Sequence, residues 1–105
     1  MTLEELRRYA LSLPETTEGD SCVNRKFTAG KKNFLFLGEK PDRWDVRLKL
    51  GPSIPDAEAL GYDAGKIGWI KMEFAAGESA PSCTADWVRE SYALIVPKRL
   101  SKLLG

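Results

Sequence analysis

The stretch Arg43-Trp-Asp-Val-Arg-Leu-Lys-Leu50 alternates charged and apolar residues along its whole length. A period of two marks a strand with one buried and one wetted face. Trp44, Val46, Leu48 and Leu50 fall on one side, and Arg43, Asp45, Arg47 and Lys49 on the other, three of those four being basic. Such a strand belongs in a sheet that packs one side on a core. Its charged side either keeps the sheet solvated or meets a polyanion.

Working outward, the segments on either side share the β character. Val23 to Thr28 and Lys32 to Leu37 read as two further strands, separated by Ala29-Gly30-Lys31, where a tight reversal uses the positive φ open to glycine. Gly38-Glu39-Lys40-Pro41-Asp42 reads as a longer polar loop. The three runs make a meander. Its middle run, Asn33-Phe-Leu-Phe-Leu37, is apolar on both faces, which suits a central strand covered on each side or one that shares an interface. Beyond a Gly51-Pro52 break, Ser53 is placed to cap a short helix over Asp56 to Leu60. Trp69-Ile-Lys-Met-Glu-Phe74 alternates again and should rejoin the sheet.

Helices flank these strands in the sequence. Thr2-Leu-Glu-Glu5 is a capping box, and Leu3, Leu6, Ala10, Leu11 and Leu13 recur at near-helical spacing up to Pro14. Thr84 is placed to cap a helix bearing Trp87, Val88, Tyr92, Leu94, Ile95 and Val96, which Pro97 interrupts. Lys98 to Leu104 supplies a last helical turn or two. No repeat or domain boundary is visible, so residues 1–105 are expected to form a single domain.

The composition, 43% hydrophobic and 30% charged, is that of a folded protein able to bury a core without a staple. The opening stretch MTLEELRRYALSLP carries acids at once, and no segment reaches the ~20 apolar residues of a membrane span. The expected location is cytoplasmic, with Cys22 and Cys83 as free thiols. The net charge of +1 conceals an uneven distribution: residues 25–49 hold eight basic and three acidic groups, whereas residues 1–24 hold two and five.

With no histidine in the chain, a Ser-His-Asp triad, a Cys-His pair and a histidine zinc site are excluded. No phosphate-cradling glycine motif is present either; Gly61, Gly65 and Gly68 have the wrong spacing and read as a pliable connection. Glu73 is the one carboxylate in a setting that could raise its pKa, yet alternation places it opposite Met72 and Phe74, on an exposed strand face. Trp44, Trp69 and Trp87 read as packing residues rather than a pocket lining. No catalytic residue, metal ligand or cofactor is expected.

What survives is the basic meander: Arg25, Lys26, Lys31, Lys32, Lys40, Arg43, Arg47 and Lys49. Alternate strand residues repeat every ~7 Å, near the spacing of phosphates along one nucleic-acid strand, so Arg43, Arg47 and Lys49 match a backbone if their face is open. Lys31 and Lys32 would sit at a hairpin tip, and Lys98, Arg99 and Lys102 would add to the same charge.

Ile67-Gly-Trp-Ile-Lys-Met-Glu-Phe74, followed by Ser91-Tyr-Ala-Leu-Ile-Val-Pro-Lys-Arg-Leu100, resembles the MmcQ/YjbR family. Leu11-Ser-Leu-Pro-Glu-Thr-Thr-Glu18, Phe27-Thr-Ala-Gly-Lys31 with Phe34, and Leu48-Lys-Leu50 agree with it in the same order, so the resemblance spans nearly the whole chain. Members often carry a histidine shortly before the Gly-Trp pair, where this chain has Lys66-Ile67. The resemblance implies an α+β domain, an antiparallel sheet with helices packed on it and an architecture similar to type III secretion chaperones. It also implies a double-wing DNA-binding role without a catalytic set. The expected function is therefore a non-enzymatic protein that binds duplex DNA with little sequence specificity. The expected contacts are Arg25, Lys26, Lys31, Lys32, Arg43, Arg47, Lys49, Lys98 and Arg99. The alternative is a protein or peptide interaction module, its partner another protein or a second copy, which would use the two-faced strand Asn33 to Leu37.

Overall fold

The computed structural model describes residues 1–21 and 24–104. Cys22 and Val23, the latter expected to open a strand, lie outside the described residues, whereas Cys83 is a free thiol. Helix α1 spans Leu3–Leu11, followed by strands β1 (Thr17–Ser21), β2 (Asn24–Ala29), β3 (Lys32–Glu39) and β4 (Arg43–Lys49). Helix α2 (Ile54–Ala59) separates β4 from β5 (Trp69–Ala75); α3 (Thr84–Ile95), α4 (Lys98–Ser101) and a 3-10 turn over Lys102–Leu104 complete the chain. The strands form one antiparallel sheet in the order β1-β2-β3-β4-β5. The fold is thus α+β, an antiparallel sheet with helices.

The capping box forms as its residue types require. The Glu5 amide donates to Thr2 Oγ1 at 3.2 Å and the Thr2 amide donates to Glu5 Oε1 at 2.9 Å. Pro97 acts as expected: Val96 is extended at φ −73° and ψ 159°, and α3 stops at Ile95. Two caps differ from expectation. Cys83 occupies the N-cap position of α3, while Thr84 is its first residue, fully buried, with Oγ1 unpartnered among the described residues. Ser53 holds the N-cap position of α2 without capping it; its hydroxyl donates to Glu90 Oε1 at 2.6 Å. Glu90 Oε2 accepts from the amides of Gly51 and Ser53 at 2.9 and 3.1 Å, so a carboxylate from α3 anchors the turn that leads into α2.

Strand β1 was not foreseen, because Thr17-Glu-Gly-Asp-Ser21 lacks apolar alternation. It is an edge strand held by backbone pairing to β2. Strand β3 runs through Gly38 and Glu39, residues expected in a loop. Gly38 sits between Asn24 and Asp45 in register, and a Cβ there would fall 2.6 Å from the side-chain oxygen of each. The glycine opens a notch that its two neighbours lean into.

The core lies between the sheet and α1 and α3. On the sheet, Phe27, Leu35, Leu37, Trp44, Val46, Leu48, Ile70, Met72 and Phe74 are buried, as are Leu6 and Ala10 of α1 and Trp87, Val88 and Tyr92 of α3. Each large apolar side chain buried in this way contributes roughly 1.5–3 kcal/mol. One irregularity decides how β3 joins the core. Phe27 stands opposite Leu35 but Thr28 stands opposite Asn33, so β3 carries an extra residue, Phe34. The bulge re-aims Phe34 inward, edge-on to Tyr92 at 5.1 Å between ring centroids. Consecutive Phe34 and Leu35 are therefore both fully buried, and the apolar run does not present two equal faces; only Phe36 is half-exposed.

Candidate nucleic-acid interface

Cross-strand partners share a face, so register sorts every strand residue to one side of the sheet. The side away from α1 and α3 carries Asn24, Lys26 and Thr28 of β2, Phe36 and Gly38 of β3, and Arg43, Asp45, Arg47 and Lys49 of β4. Strand β5 adds Trp69, Lys71 and Glu73. The alternation of the Arg43 to Lys49 run holds in full: Trp44, Val46 and Leu48 are buried, while Arg43 and Arg47 are exposed and Lys49 half-exposed. Glu73 is exposed on this outer face, as its parity requires.

Lys26, Phe36, Arg47 and Lys71 are successive partners over four strands, forming one row across the sheet. Lys26 lays its stem beside Gly19 of β1, where an added Cβ would lie 3.4 Å from Lys26 Cε. The acids of this face are absorbed locally. Lys71 Nζ lies 3.4 Å from Glu73 Oε1 and 3.8 Å from Asp45 Oδ2. Among the described residues no carboxylate stands within salt-bridge distance, 4.0 Å, of Lys26, Arg43, Arg47 or Lys49. These four cations are the unneutralised charge of the open face.

Not every expected residue joins them. Arg25 is paired with Leu37, a core residue, and so belongs to the helix side of the sheet; its guanidinium donates to Glu18 Oε2 at 3.3 Å. Glu18 also accepts from Arg7 Nε of α1 at 2.9 Å, and this carboxylate holds the Arg7 guanidinium still more firmly protonated. Arg99 donates to Glu15 at 2.9 Å, although α4 itself lies beside the β2–β3 turn. Lys98 is exposed on α4. Gly30 and Lys31 form that turn with φ of 58° and 67°, the paired left-handed geometry of a two-residue hairpin loop, which leaves Lys31 and Lys32 exposed at its tip.

Two residues of this face escape a reading based on hydrophobicity. Phe36 and Trp69 stand on β3 and β5, two strands apart, a separation of roughly 10 Å at the backbone. Their ring centroids are nevertheless 5.9 Å apart at 52°, so the rings lean together across β4. Asn24 and Arg47 border a shallow depression beside this pair; Lys31, Lys32, Asn33 and Lys49 border another on its far side. The signal was present in parity: Trp69 shares its phase with Lys71 and Glu73, not with Ile70 and Met72. Trp44 and Trp87, by contrast, are buried as packing residues.

Among the described residues no cluster of three or more acidic, cysteine or histidine side chains could hold a metal ion, and no helix is long and apolar enough to cross a membrane. The depression beside Trp44 collects Thr2, Glu4, Arg25, Glu39 and Arg43, with the Trp44 indole donating to the Glu78 carbonyl at 2.9 Å. In comparisons with known proteins the chain matches no family model and no curated protein.

Proposed function

We propose that the protein is a non-catalytic, MmcQ/YjbR-like binding protein that engages DNA through the outer face of its sheet, with little sequence specificity. The observation that carries this reading is the set of four cations, Lys26, Arg43, Arg47 and Lys49, sharing one open face without an acidic partner. Phosphates gain most from cations that are not already paired, because each contact releases condensed counterions. The charge on this face comes from cations suited to phosphates, which carry no sequence information, so phosphate contacts dominate and specificity stays low.

Fluorescence anisotropy with labelled duplex at about 50 mM salt tests it directly. Four phosphate contacts predict a log-log salt slope of about −3.6. Absence of binding to duplex and single-stranded DNA alike under these conditions refutes the reading. The alternative, a protein or peptide module, loses the two-faced strand it started from, since the bulge buries Phe34 alongside Leu35 and Leu37. Its remaining surface would be the Phe36–Trp69 pair and the free edge of β5.

A further inference from the structure

We propose that Phe36 and Trp69 form a stacking platform for unpaired bases, so that the outer face takes single-stranded DNA in preference to duplex. This rests on the reading of that face as a DNA-binding surface and names the form of DNA it accepts.

A duplex conceals the flat faces of its bases within its own stack and offers only edges and phosphates. The basic residues alone would suit either form. Exposed aromatic rings add something that only an unpaired base can use, since every base has a π-face that stacks regardless of sequence. Phe36 and Trp69 are half-exposed in the middle of a face whose other side chains are polar or charged. Cations flank them along the strand and across it: Arg47 is the direct partner of Phe36, Lys49 the direct partner of Trp69, and Lys26 stands on the far side of Phe36. Rings at the centre with unpaired cations around them suit a chain whose bases lie on the sheet while its phosphates pass outside. Charge complementarity thus commits the surface to a polyanion that carries aromatic groups. Asn24 and Asn33, at the edges of the two depressions, offer amide groups to base edges without imposing one sequence.

The test compares a labelled oligothymidylate of about 12 nucleotides, within the site size of one small domain, with a duplex of equal length. The expected result is tighter binding of the single strand. It should be accompanied by quenching of tryptophan emission, which reports Trp69 because Trp44 and Trp87 are only 6% and 4% exposed. Phe36→Ala and Trp69→Ala should each weaken oligothymidylate binding roughly 5- to 150-fold while leaving duplex binding nearly unchanged. If either alanine variant fails to fold, Trp69→Phe should retain the preference and Trp69→Leu should lose it. Equal binding of both forms with no effect of the aromatic variants overturns the platform and leaves the DNA reading standing. No binding of either form overturns both. A self-association that Trp69→Ala abolishes, without binding of oligothymidylate, overturns the platform in favour of a second copy as occupant.

Discussion

The hydroxyl of Ser91 in α3 donates to the carbonyl of Phe34 at 2.6 Å, joining residues 57 positions apart at the point where β3 departs from regular pairing. The bulge interrupts the ladder at Phe34 and Ser91 satisfies its carbonyl. The same oxygen accepts from the Lys49 amide at 2.9 Å, so one buried hydroxyl serves two strands from the helix side.

Ser91→Ala should therefore leave a buried carbonyl and a partly buried amide without partners. At roughly 1–3 kcal/mol for each unsatisfied group, a loss of about 2–6 kcal/mol is expected. Urea unfolding monitored by circular dichroism measures it. A loss below about 0.5 kcal/mol, the size of a neutral surface change, would mean that the hydroxyl is not needed to close the bulge.

Glycines at positive φ should separate into tolerant and intolerant positions. Gly68, at φ 83°, would bring a Cβ to 2.5 Å from the Leu50 carbonyl oxygen, a backbone atom that cannot swing aside as a side chain would. Gly61, at φ 94°, has open space around it. Gly61→Ala should cost about 1–2 kcal/mol from backbone strain alone, and Gly68→Ala clearly more. Thermal midpoints of the two variants, measured side by side, check the ranking.

Glu5 links the first helix to pH. Its hydrogen bond from the Thr2 amide is the largest influence holding its carboxyl below the ordinary value of 4.5. A folded pKa below the unfolded one stabilises the protein above about 4.5, and that contribution is lost as pH falls through the folded value. Glu5→Gln should flatten this part of the acid-side decline in urea midpoints. An acid limb identical to that of the parent protein would contradict the assignment.

Tyr92 acts at the opposite end of the scale. Burial, foremost, raises its hydroxyl above the ordinary 10.0, while the hydroxyl donates to the Pro14 carbonyl at 2.7 Å. A raised folded pKa means stability that is complete below about 10 and is lost as pH rises through the folded value. Tyr92→Phe should remove this alkaline dependence and, at neutral pH, lower stability by about 1 kcal/mol through loss of one hydrogen bond.

Salt dependence distinguishes the two groups of cations. Arg47→Ala and Lys49→Ala should each reduce the log-log slope of duplex binding by about 0.9. Arg25→Ala and Arg99→Ala remove cations already engaged by Glu18 and Glu15 and should leave the slope unchanged. Equal effects from all four would show that binding follows overall charge rather than the outer face.

Local pattern determined a good deal of this protein. The period-two alternation of Arg43 to Leu50 and of Trp69 to Phe74, the capping box at Thr2 and the break at Pro97 depend on neighbours a few residues away, and each forms as expected. Tertiary structure decided the rest. Whether Arg25 or Lys26 faces outward depends on which β3 residue each one opposes, and that is set by pairing across the sheet. The inward turn of Phe34, the pairing of edge strand β1 and the anchoring of the turn before α2 by Glu90 all depend on partners distant in the chain. The meeting of Phe36 and Trp69 has the same origin: two side chains 33 positions apart become neighbours only because β4 lies between their strands in this register. Short-range sterics and hydrogen bonding can be read along the chain, whereas the company a side chain keeps on a sheet is fixed by register, which only the assembled core selects.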